Sequence, residues 1–444
     1  MNKPRRHPSI KGRPPLGVLL MLLCLGGANT SLRAQGLATF DRDSANTMLS
    51  VIKEDLKDNY YDQNLRGMNV EERFKQAEGQ IKFATSRDQL MTIIAQVLLD
   101  LDDSHTFFLP PSRAARVEYG WLMQMIGDAC YVTAVKPGSD AEVQGIKPGD
   151  ELLLIDGVKP TRKNFWKMIY RYYSLMPSRS IRMTLRSPGA ADVREIAVLA
   201  KVHTTQSVTQ WQSLFMRYLS EEWDLDHDRF YEVSDELLVW KMPGFDITKE
   251  RVDDLMAKAR KFKTLVLDLR GNGGGYSATV SRLVSHFFDK EIKIADLKSR
   301  KDTKPQVAKR RTEPQFTGQI VVLVDSNSAS ASELFARVIQ IEKRGVVLGD
   351  RTAGAVMTSR QYSHETGVGR ILYFGASVTI ADMIMSDGNS LEHAGVIPDE
   401  LLLPSGSELA AKGDPVLSRA AEIAGVKLDP QKAGSLFPIE WKRQ

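Results

Sequence analysis

Three apolar segments in the second half of the chain each run directly into a loop of small residues. They read TLVLDLRGNGGG, GQIVVLVDSNSASASELFARVIQ and GVVLGDRTAG, and the second continues into a segment with helical periodicity. Short apolar runs alternating with helices predict parallel strands of an α/β core. Binding and catalytic groups in such cores lie on loops at the carboxyl ends of the strands. The glycine run at 271–275 and the serine run at 326–332 both follow a predicted strand in this way.

The segments before the core have different patterns. Apolar residues spaced by three and four between Ser44 and Leu101 predict a helical N-terminal region, which ends before Pro110 and Pro111. From about Val117, short strands and glycine turns predict a small β-barrel with helices. The predicted fold class is therefore multi-domain α/β. Its predicted parts are 1–34 (leader), 35–113 (helical region), 114–203 (small barrel), 204–405 (α/β core with βαβ units) and 406–444 (tail of one or two helices).

The first 34 residues have the pattern of a secretory signal peptide. MNKPRRHPSIKGRPP is basic, LGVLLMLLCLGGA is apolar, and small residues follow. The apolar run is too short for a comfortable membrane span, so membrane contact is predicted only for the leader. Cleavage is predicted after Ala34, with Ala28 as the alternative. The mature chain is expected in a bacterial periplasm or outside the cell.

Charge and cysteine content narrow the range of partners. The leader carries six of the 60 Lys and Arg residues and none of the 55 Asp and Glu residues, which leaves 54 basic against 55 acidic. The sequence contains no basic patch of the kind that predicts a nucleic-acid partner. No metal-ligand cluster or cofactor motif is found, so neither a metal nor a cofactor is predicted. Cys130 is the one cysteine after the leader, and we expect it to be buried in a strand.

The serine run predicts either a nucleophile or a capped loop. A strand, a turn of small residues and a helix form the local geometry that exposes a nucleophilic hydroxyl. Spacing alone does not separate Ser328, Ser330 and Ser332 as the nucleophile. Ser332, followed by Glu333, is expected to cap the helix. The glycine run is typical of an oxyanion hole made of backbone N–H groups, with a simple wide turn as the alternative.

Taken together, these motifs resemble peptidase family S41, which includes the C-terminal processing peptidases and the tricorn-type enzymes. The resemblance rests on LVLDLRGNGGG, then VLVDSNSASASELFA, then GDRTAGAV, and it covers nearly all of the mature chain. The segment AVKPGSDAEVQGIKPGDELLLIDG resembles a PDZ domain, and a PDZ domain ahead of the catalytic core belongs to the same family pattern. The resemblance implies a serine peptidase with a PDZ domain at 114–203.

The resemblance also implies a nucleophile, which is Ser330, the middle serine of Ser-Ala-Ser-Ala-Ser-Glu. The implied oxyanion donors are the backbone N–H of Ala331 and that of Gly274 or Gly275. The processing peptidases use a lysine as base, but in GDRTAGAVMTS the corresponding residue is Ala355. A Ser/Lys dyad is therefore not expected, and Lys343 is predicted to be a surface charge.

The tricorn-type branch instead implies a histidine base. His105 in LDLDDSHTFFLPP matches that branch, with Ser104 beside it in a supporting role, and Glu392 in SLEHAGVIPDE matches the acid. A triad needs such an acid to orient the imidazole and to stabilise its cation. His364 and His393 stay open as alternative bases. Surface or core positions are predicted for His203, His227 and His286.

The PDZ resemblance implies a peptide-binding edge. PDZ domains bind peptide C-termini by adding a strand to a sheet, and EYGW places the carboxylate loop at Tyr119, Gly120 and Trp121. The predicted function is a secreted or periplasmic serine endopeptidase that acts on protein or peptide substrates through an acyl-enzyme. The PDZ domain would recognise substrate C-termini or gate the site, and oligomerisation is left open. The alternatives are a PDZ domain that serves only as a spacer, a non-catalytic ligand- or peptide-binding protein on this scaffold, and a PDZ adaptor with a vestigial core.

Overall fold

The computed structural model describes residues 39–113, 115–204, 227–367 and 371–441. The predicted leader and both of its predicted cleavage sites lie outside these residues. Within the described ranges, no helix is both long enough and apolar enough to cross a membrane.

The N-terminal part is helical, as the periodicity predicts. Two of its helices begin at side-chain caps, because Asn69 accepts a hydrogen bond from the N–H of Glu72 and Ser86 from that of Gln89. The elements are α1 (Thr39–Asn59), a 3₁₀ turn (Leu65–Gly67), α2 (Val70–Phe83), α3 (Arg87–Leu99) and a short strand, β1 (Phe107–Leu109).

A five-stranded antiparallel sheet and a two-stranded ribbon follow. The sheet has the strand order β3-β4-β5-β6-β7, so β3 is an edge strand, while β2 pairs with β8 in the ribbon. Cys130 is buried here, as expected. The elements are β2 (Ala115–Glu118), β3 (Trp121–Ile126), β4 (Ala129–Val135), α4 (Asp140–Val143), β5 (Glu151–Ile155), α5 (Phe165–Tyr170), a π-helical turn (Arg171–Leu175), β6 (Ser180–Arg186), β7 (Arg194–Leu199) and β8 (Lys201–Thr204).

The α/β core and the tail contain the remaining elements. In the tail, the segment SELAAKGDPVLSRAAEIAGVKL forms two short helices, within the one or two that the sequence predicts, and a third short helix follows it. In chain order the elements are β9 (Arg229–Glu232), β10 (Leu237–Lys241), α6 (Lys249–Ala259), β11 (Thr264–Asp268), α7 (Ser277–Ser285), β12 (Ile292–Ser299), β13 (Thr303–Ala308), β14 (Gln319–Val324), α8 (Ala331–Ile341), β15 (Val346–Gly349), β16 (Met357–Thr366), β17 (Leu372–Met385), β18 (Glu400–Leu401), α9 (Gly406–Ala410), α10 (Pro415–Ile423) and α11 (Pro430–Gly434).

The central sheet has the parallel order that the alternating pattern predicts. Its strand order is β18-β15-β14-β11-β10-β9, and every pair is parallel except β10 with β9. Strands β10 and β11 are buried at every position, because helices α6 to α8 cover one face and α10 and α11 the other. The loops after β11 and β14 therefore meet at one edge of this sheet.

A second, antiparallel sheet is not predicted by the sequence patterns. Its order is β1-β17-β12-β13, and β16 pairs with the long strand β17. The register of β1 against β17 pairs Phe108 with Ala376. Helices α1 to α3 pack on these two strands in one apolar cluster. The pairing brings the loop that carries His105 from the N-terminal part to the core.

Candidate active site

The serine loop ends in an unusual backbone conformation. Strand β14 ends at Val324, helix α8 begins at Ala331, and Ser330 occupies the N-cap between them with φ 55° and ψ −113°. Residues other than glycine rarely adopt a positive φ, and such strain is concentrated at functional sites. The tight turn presents the Ser330 side chain at the start of the helix.

The hydroxyl groups of the other three serines in the run donate hydrogen bonds to backbone carbonyls. Oγ of Ser326 donates to the carbonyl of Met125, that of Ser328 to the carbonyl of Leu269 at 2.8 Å, and that of Ser332 to the carbonyl of Asn272 at 2.9 Å. Oγ of Ser330 donates to no other described residue, so its proton is available. The expectation that Ser332 caps the helix is wrong, because the N-cap is Ser330 and Ser332 lies inside α8.

The glycine run packs directly against the nucleophile candidate. A Cβ built on Gly274 would lie 2.7 Å from Cβ of Ser330 and 3.1 Å from the backbone N of Ala331. The N–H of Gly274 itself donates to Oδ1 of Asn272 at 2.9 Å. A Cβ on Gly275 would instead meet the backbone of Phe245 at 2.6 Å. Only a glycine at 274 leaves room for this approach of the two loops.

The N–H of Ala331 is the first of helix α8. The first N–H groups of a helix have no acceptor inside it, and the helix dipole favours negative charge there. In the described part of the chain this N–H makes no hydrogen bond. It is therefore an available donor next to Oγ of Ser330.

A hydrogen-bonded series connects the other two candidates. Oγ of Ser104 lies 2.8 Å from Nδ1 of His105 and 2.8 Å from Oε2 of Glu392. The N–H of Ser104 also donates to Oε1 of Glu392 at 2.9 Å. Glu392 is buried, and its side chain reaches the histidine through the serine. His105 is thus oriented by Ser104 and, through Ser104, by Glu392, which lies 288 positions further along the chain than Ser104.

The buried carboxylate of Asp103 binds the backbone of the loop that carries His105. The N–H groups of His105 and Thr106 donate to Oδ1 of Asp103 at 2.9 and 3.0 Å. The hydroxyl of Thr379 on β17 donates to the same oxygen, and that of Tyr60 donates to Oδ2. Burial and Asp103 raise the pKa of Tyr60, so the phenol stays a donor. Asp103 stands two residues before His105 in LDLDDSH, and no motif in the sequence marks it as part of the site.

One loop joins the serine to the glutamate. The N–H of Ser330 donates to the carbonyl of Ala355 at 3.0 Å, and the N–H of the next residue, Val356, donates to Oε2 of Glu392 at 2.9 Å. Adjacent residues between β15 and β16 therefore contact both candidates. This loop brings the Ser330 side of the site to the Glu392–Ser104–His105 series, although no hydrogen bond between Ser330 and His105 occurs in the described part.

A second buried carboxylate, Glu333, holds the same loop to the helix. Its oxygens accept hydrogen bonds from the N–H of Ser330, Gly354 and Ala355 and from the hydroxyl of Thr352. Burial raises the pKa of Glu333 to about 7, against the lowering effect of these four bonds. From the sequence, Glu333 is predicted only to follow the helix cap, and this buried role is not predicted. The signal was its position three residues after Ser330, as in a capping box.

A lysine base has no support in this geometry. Ala355 stands where the lysine of a dyad would be, and its N–H and carbonyl bind Glu333 and Ser330. Lys343 lies beyond the far end of the 11-residue helix α8. At about 1.5 Å rise per residue, it is roughly 15 Å or more from Ser330. Lys343 is exposed, as predicted.

The alternative histidines have other partners. Nε2 of His364 lies 2.8 Å from Oδ2 of Asp55, and Nε2 of His393 lies 2.9 Å from the carbonyl of Asp102. His286 is fully buried beside Asp253, and burial lowers its pKa to about 4. Nε2 of His393 also lies 3.8 Å from Oε1 of Glu392. Among the residues that the structure describes, none of these three rings forms a hydrogen bond with Ser330.

The predicted peptide-binding residues lie at the sheet of strands β3 to β7, which we call the small sheet, and not at Ser330. Tyr119 and Trp121 are buried in its apolar core, and Gly120 has φ 74°. A Cβ at Gly120 would lie 2.4 Å from Cβ of Ser139. The small sheet nevertheless touches the serine loop, because Nε2 of Gln124 on β3 donates to Oδ2 of Asp325 at 2.7 Å.

In the described ranges, no group of three or more His, Cys, Asp or Glu residues could hold a metal ion.

Comparison with known sequences gives one family. The model of peptidase family S41 matches residues 237–402, which include Ser330 and Glu392 but not His105. The carboxyl-terminal-processing protease of Picosynechococcus sp. is 23% identical over 332 residues, covering 71% of this chain and 74% of that protein. The carboxy-terminal processing protease CtpA of Bacillus subtilis is 25% identical over 274 residues, covering 61% of this chain and 53% of that protein.

Comparison with solved structures concerns the fold. Mature CPAF superposes with a TM-score of 0.64 at 14% identity, covering 83% of this chain and 94% of that chain. The photosystem II D1 C-terminal processing protease superposes with a TM-score of 0.51 at 20% identity, covering 81% and 93%. The similarity of fold therefore extends well beyond the residues that the family model matches.

Proposed function

Because this chain belongs to peptidase family S41 and is a serine-type peptidase, we propose that Ser330, His105 and Glu392 form its catalytic triad. The observation that carries the proposal is the series of hydrogen bonds from Glu392 through Ser104 to His105. That series adjoins the loop that binds the backbone of Ser330. The triad acts on peptide bonds of protein substrates.

The proposed reaction uses the hydroxyl of Ser330, Nε2 of His105 and the N–H of Ala331. Oγ of Ser330 attacks the scissile carbonyl carbon while its proton passes to Nε2 of His105, and the carbonyl oxygen becomes an oxyanion. The N–H of Ala331 donates to that oxyanion at the positive end of helix α8. His105 then gives the proton to the leaving amine, which departs as the C–N bond breaks. Water hydrolyses the acyl-enzyme by the same steps, with His105 again as the base.

The second oxyanion donor comes from the glycine run. Gly274 lies against Ser330, but its N–H is bonded to Oδ1 of Asn272 in the resting structure. In this proposal the N–H of Gly274 exchanges Asn272 for the oxyanion during the reaction, with Gly275 as the other candidate. Such an exchange would let the oxyanion hole form only when substrate is bound.

The substrate preference proposed is for chain termini. The named relatives are carboxyl-terminal-processing proteases. We propose that the small sheet is a PDZ domain that binds a substrate C-terminus at Tyr119, Gly120 and Trp121, along the edge strand β3. Contact between β3 and the serine loop supports a gating role for this domain. The leader pattern supports export to a periplasm or to the cell exterior.

A serine-reactive fluorophosphonate probe tests the triad. The wild-type chain is expected to be labelled and to cleave a denatured protein, whereas Ser330→Ala and His105→Ala lose both activities. Lys343→Ala is the matched control and should keep full turnover, because this lysine lies at the opposite end of α8. Strong labelling of Ser330→Ala would show a different nucleophile. Loss of turnover in Lys343→Ala would show a lysine-based mechanism.

A further inference from the structure

A buried aspartate, the first residue after strand β14, lies between the two loops of the site. Asp325 is 9% exposed. Its Oδ1 accepts a hydrogen bond from the N–H of Gly271 and another from the N–H of Asn327, each at 3.0 Å. Gly271 is the first residue of the glycine run, and Asn327 belongs to the serine loop. A single carboxylate oxygen therefore joins the backbones of both loops.

The bond to Gly271 continues the pairing of two strands beyond the end of the sheet. Strands β11 and β14 are parallel neighbours, and a backbone hydrogen bond from the N–H of Leu269 to the carbonyl of Leu323, at 2.9 Å, extends their ladder. Two residues after Leu269, the N–H of Gly271 binds the carboxylate of Asp325 in place of a strand carbonyl. This side chain therefore sets where the glycine run begins relative to the serine loop.

The glycine run needs such an anchor because it has few side chains of its own. Gly271, Gly274 and Gly275 have positive φ, of 75°, 104° and 141°, and glycine loses more conformational freedom on folding than any other residue. A second anchor to the serine loop is the carbonyl of Asn272, which accepts from the N–H of Ala329 at 3.0 Å. Hydrogen bonds to an ionised group are roughly twice as strong as those between neutral groups, so the carboxylate is the stronger anchor.

The second oxygen of Asp325 fixes the orientation of the carboxylate. Nε2 of Gln124 on β3 donates to Oδ2 at 2.7 Å. Rotation of the carboxylate away from the two N–H groups would therefore also break this bond. The three donors together hold the acceptor Oδ1 in one position between the two loops.

Alignment of the two loops matters because the proposed oxyanion donors come from both of them. The N–H of Ala331 follows Ser330 at the end of the serine loop, and the N–H of Gly274 belongs to the glycine run. Both must reach one oxygen atom, and a misplacement of about 1 Å can cost about 100-fold in rate. We propose that Asp325 is a positioning residue, which sets the glycine run against Ser330 so that the two donors converge. This inference rests on the proposed function, because it explains how the proposed oxyanion hole is aligned.

Three substitutions at this position separate alignment from charge. Asp325→Asn keeps an oxygen acceptor for both N–H groups, and the amide of Gln124 can turn to accept from the new N–H₂ group, so kcat should stay within about threefold of wild type. Asp325→Ala removes the acceptor, and Asp325→Glu displaces it by one methylene group. Both should lower kcat by about 30-fold or more while KM changes by less than about threefold.

Asp399→Ala is the matched control for these variants. Oδ2 of Asp399 also accepts a backbone N–H, that of Val347 at 2.8 Å, but near the start of β15 and away from the loops at the other end of the strands. It removes a carboxylate that binds the backbone without touching the glycine run. Its kcat should equal that of wild type.

A peptide aldehyde distinguishes an aligned oxyanion hole from a general loss of structure. Oγ of Ser330 adds to the aldehyde carbon, its proton passes to His105, and the aldehyde oxygen becomes the oxyanion, so the adduct uses both donors. The aldehyde should bind Asp325→Ala and Asp325→Glu at least about tenfold more weakly than wild type. The corresponding peptide alcohol, which forms no adduct, should bind all the chains equally.

Folding of each variant is checked by denaturant unfolding. A folded Asp325→Glu chain with wild-type kcat and aldehyde affinity would overturn the proposal, even if Asp325→Ala did not fold. An Asp325→Asn chain as impaired as Asp325→Glu, or equal losses of aldehyde and alcohol affinity, would overturn it as well. Absence of fluorophosphonate labelling in wild type would instead overturn the proposed triad, and this inference with it.

Discussion

Oγ of Ser104 lies 2.8 Å from Nδ1 of the adjacent residue, His105. A serine hydroxyl has one proton, and Oγ of Ser104 also lies 2.8 Å from a carboxylate oxygen of Glu392, which can only accept. The proton of Ser104 therefore points to Glu392, and Nδ1 of His105 must donate to Ser104. This arrangement leaves Nε2 of the neutral imidazole without a proton, which is the form that a general base requires.

Removal of the Ser104 hydroxyl should impair turnover more than binding. Ser104→Ala breaks the only described link between His105 and Glu392, so the imidazole loses both its preferred tautomer and its acid. We expect kcat to fall by about 10- to 100-fold with KM changed by less than about threefold. Steady-state kinetics on an unfolded protein substrate measures both. Ser104→Thr retains the hydroxyl and should recover most of kcat; an equal loss in Thr and Ala would argue against the relay.

A methyl group at Gly274 should block the site without unfolding the protein. Its Cβ would lie 2.7 Å from Cβ of Ser330 and 3.1 Å from the N of Ala331, so one of the two loops must move. We expect Gly274→Ala to lower kcat/KM by about 100-fold or more, a loss comparable to that of an oxyanion donor. Fluorophosphonate labelling should fall in parallel.

Gly271→Ala is the matched control for Gly274→Ala. Gly271 also has a positive φ, of 75°, but a Cβ there meets no atom within 4 Å. It therefore carries the backbone cost of the substitution without the contact to Ser330. Activity close to wild type in Gly271→Ala is expected. If both variants lose activity equally, backbone strain and not the contact is responsible.

Turnover should require the buried carboxylate of Glu333 in its ionised form. Four donors, three of them backbone N–H groups, converge on its two oxygens, so an amide in its place turns an N–H₂ group toward other donors. We expect Glu333→Gln to lower kcat by at least about tenfold, because Ser330 and the loop at Ala355 are no longer held together. Retention of full kcat by a folded Glu333→Gln chain would contradict this role.

Glu333 should also change how stability depends on pH. Burial raises its pKa from 4.5 to about 7, so the folded chain binds this proton more tightly than the unfolded chain. Protonation of Glu333 therefore adds to the free energy of unfolding, and this contribution is fully present below about pH 4.5. It is lost as the pH rises through about 7, and the total loss is up to about 3 kcal/mol. Denaturant unfolding at pH 5 and pH 8 should show this loss in wild type and not in Glu333→Gln. Glu422→Gln, on an exposed side chain, should behave as wild type.

The local elements of the fold could be predicted from the sequence because their signals are local. The strands ending at Asp268 and Val324, and the helix after Ser330, follow from apolar runs and small-residue loops. The pairing of β1 with β17 could not, since it joins residues about 270 positions apart and β16 and β17 carry no strong alternation. The same pairing brings the His105 loop to the core.

The site could be predicted only where family motifs mark it. Ser330, His105 and Glu392 stand in such motifs, but Asp103 and Glu333 act through backbone amides that only the folded chain brings together. The role of Ser332 was misjudged for a similar reason: whether a serine caps a helix depends on where the helix begins. A shift of two residues separates the cap from a buried hydroxyl bonded to Asn272.

The attachment of the small sheet to the core should depend on one buried ion pair. Nη2 of Arg162 lies 2.5 Å from Oδ2 of Asp350, and the N–H of Gly127 donates to the same oxygen at 2.9 Å. Burial raises the pKa of Asp350, and Arg162 opposes that effect. Arg162→Ala leaves this carboxylate buried without its cation, which typically costs about 3 kcal/mol or more. We expect faster hydrogen exchange in β3 and a lower free energy of unfolding.

A double substitution separates the buried charge from the lost contact. Asp350→Asn removes the charge, so Arg162→Ala with Asp350→Asn should recover at least about half of the lost stability. Since β3 contacts the serine loop through Gln124 and Asp325, the single variant should also lose turnover on protein substrates, whereas fluorophosphonate labelling of Ser330 should change less. Denaturant unfolding, hydrogen exchange and labelling are measured on the same three chains. A double variant no more stable than Arg162→Ala would show that the arginine acts by packing and not by neutralising Asp350.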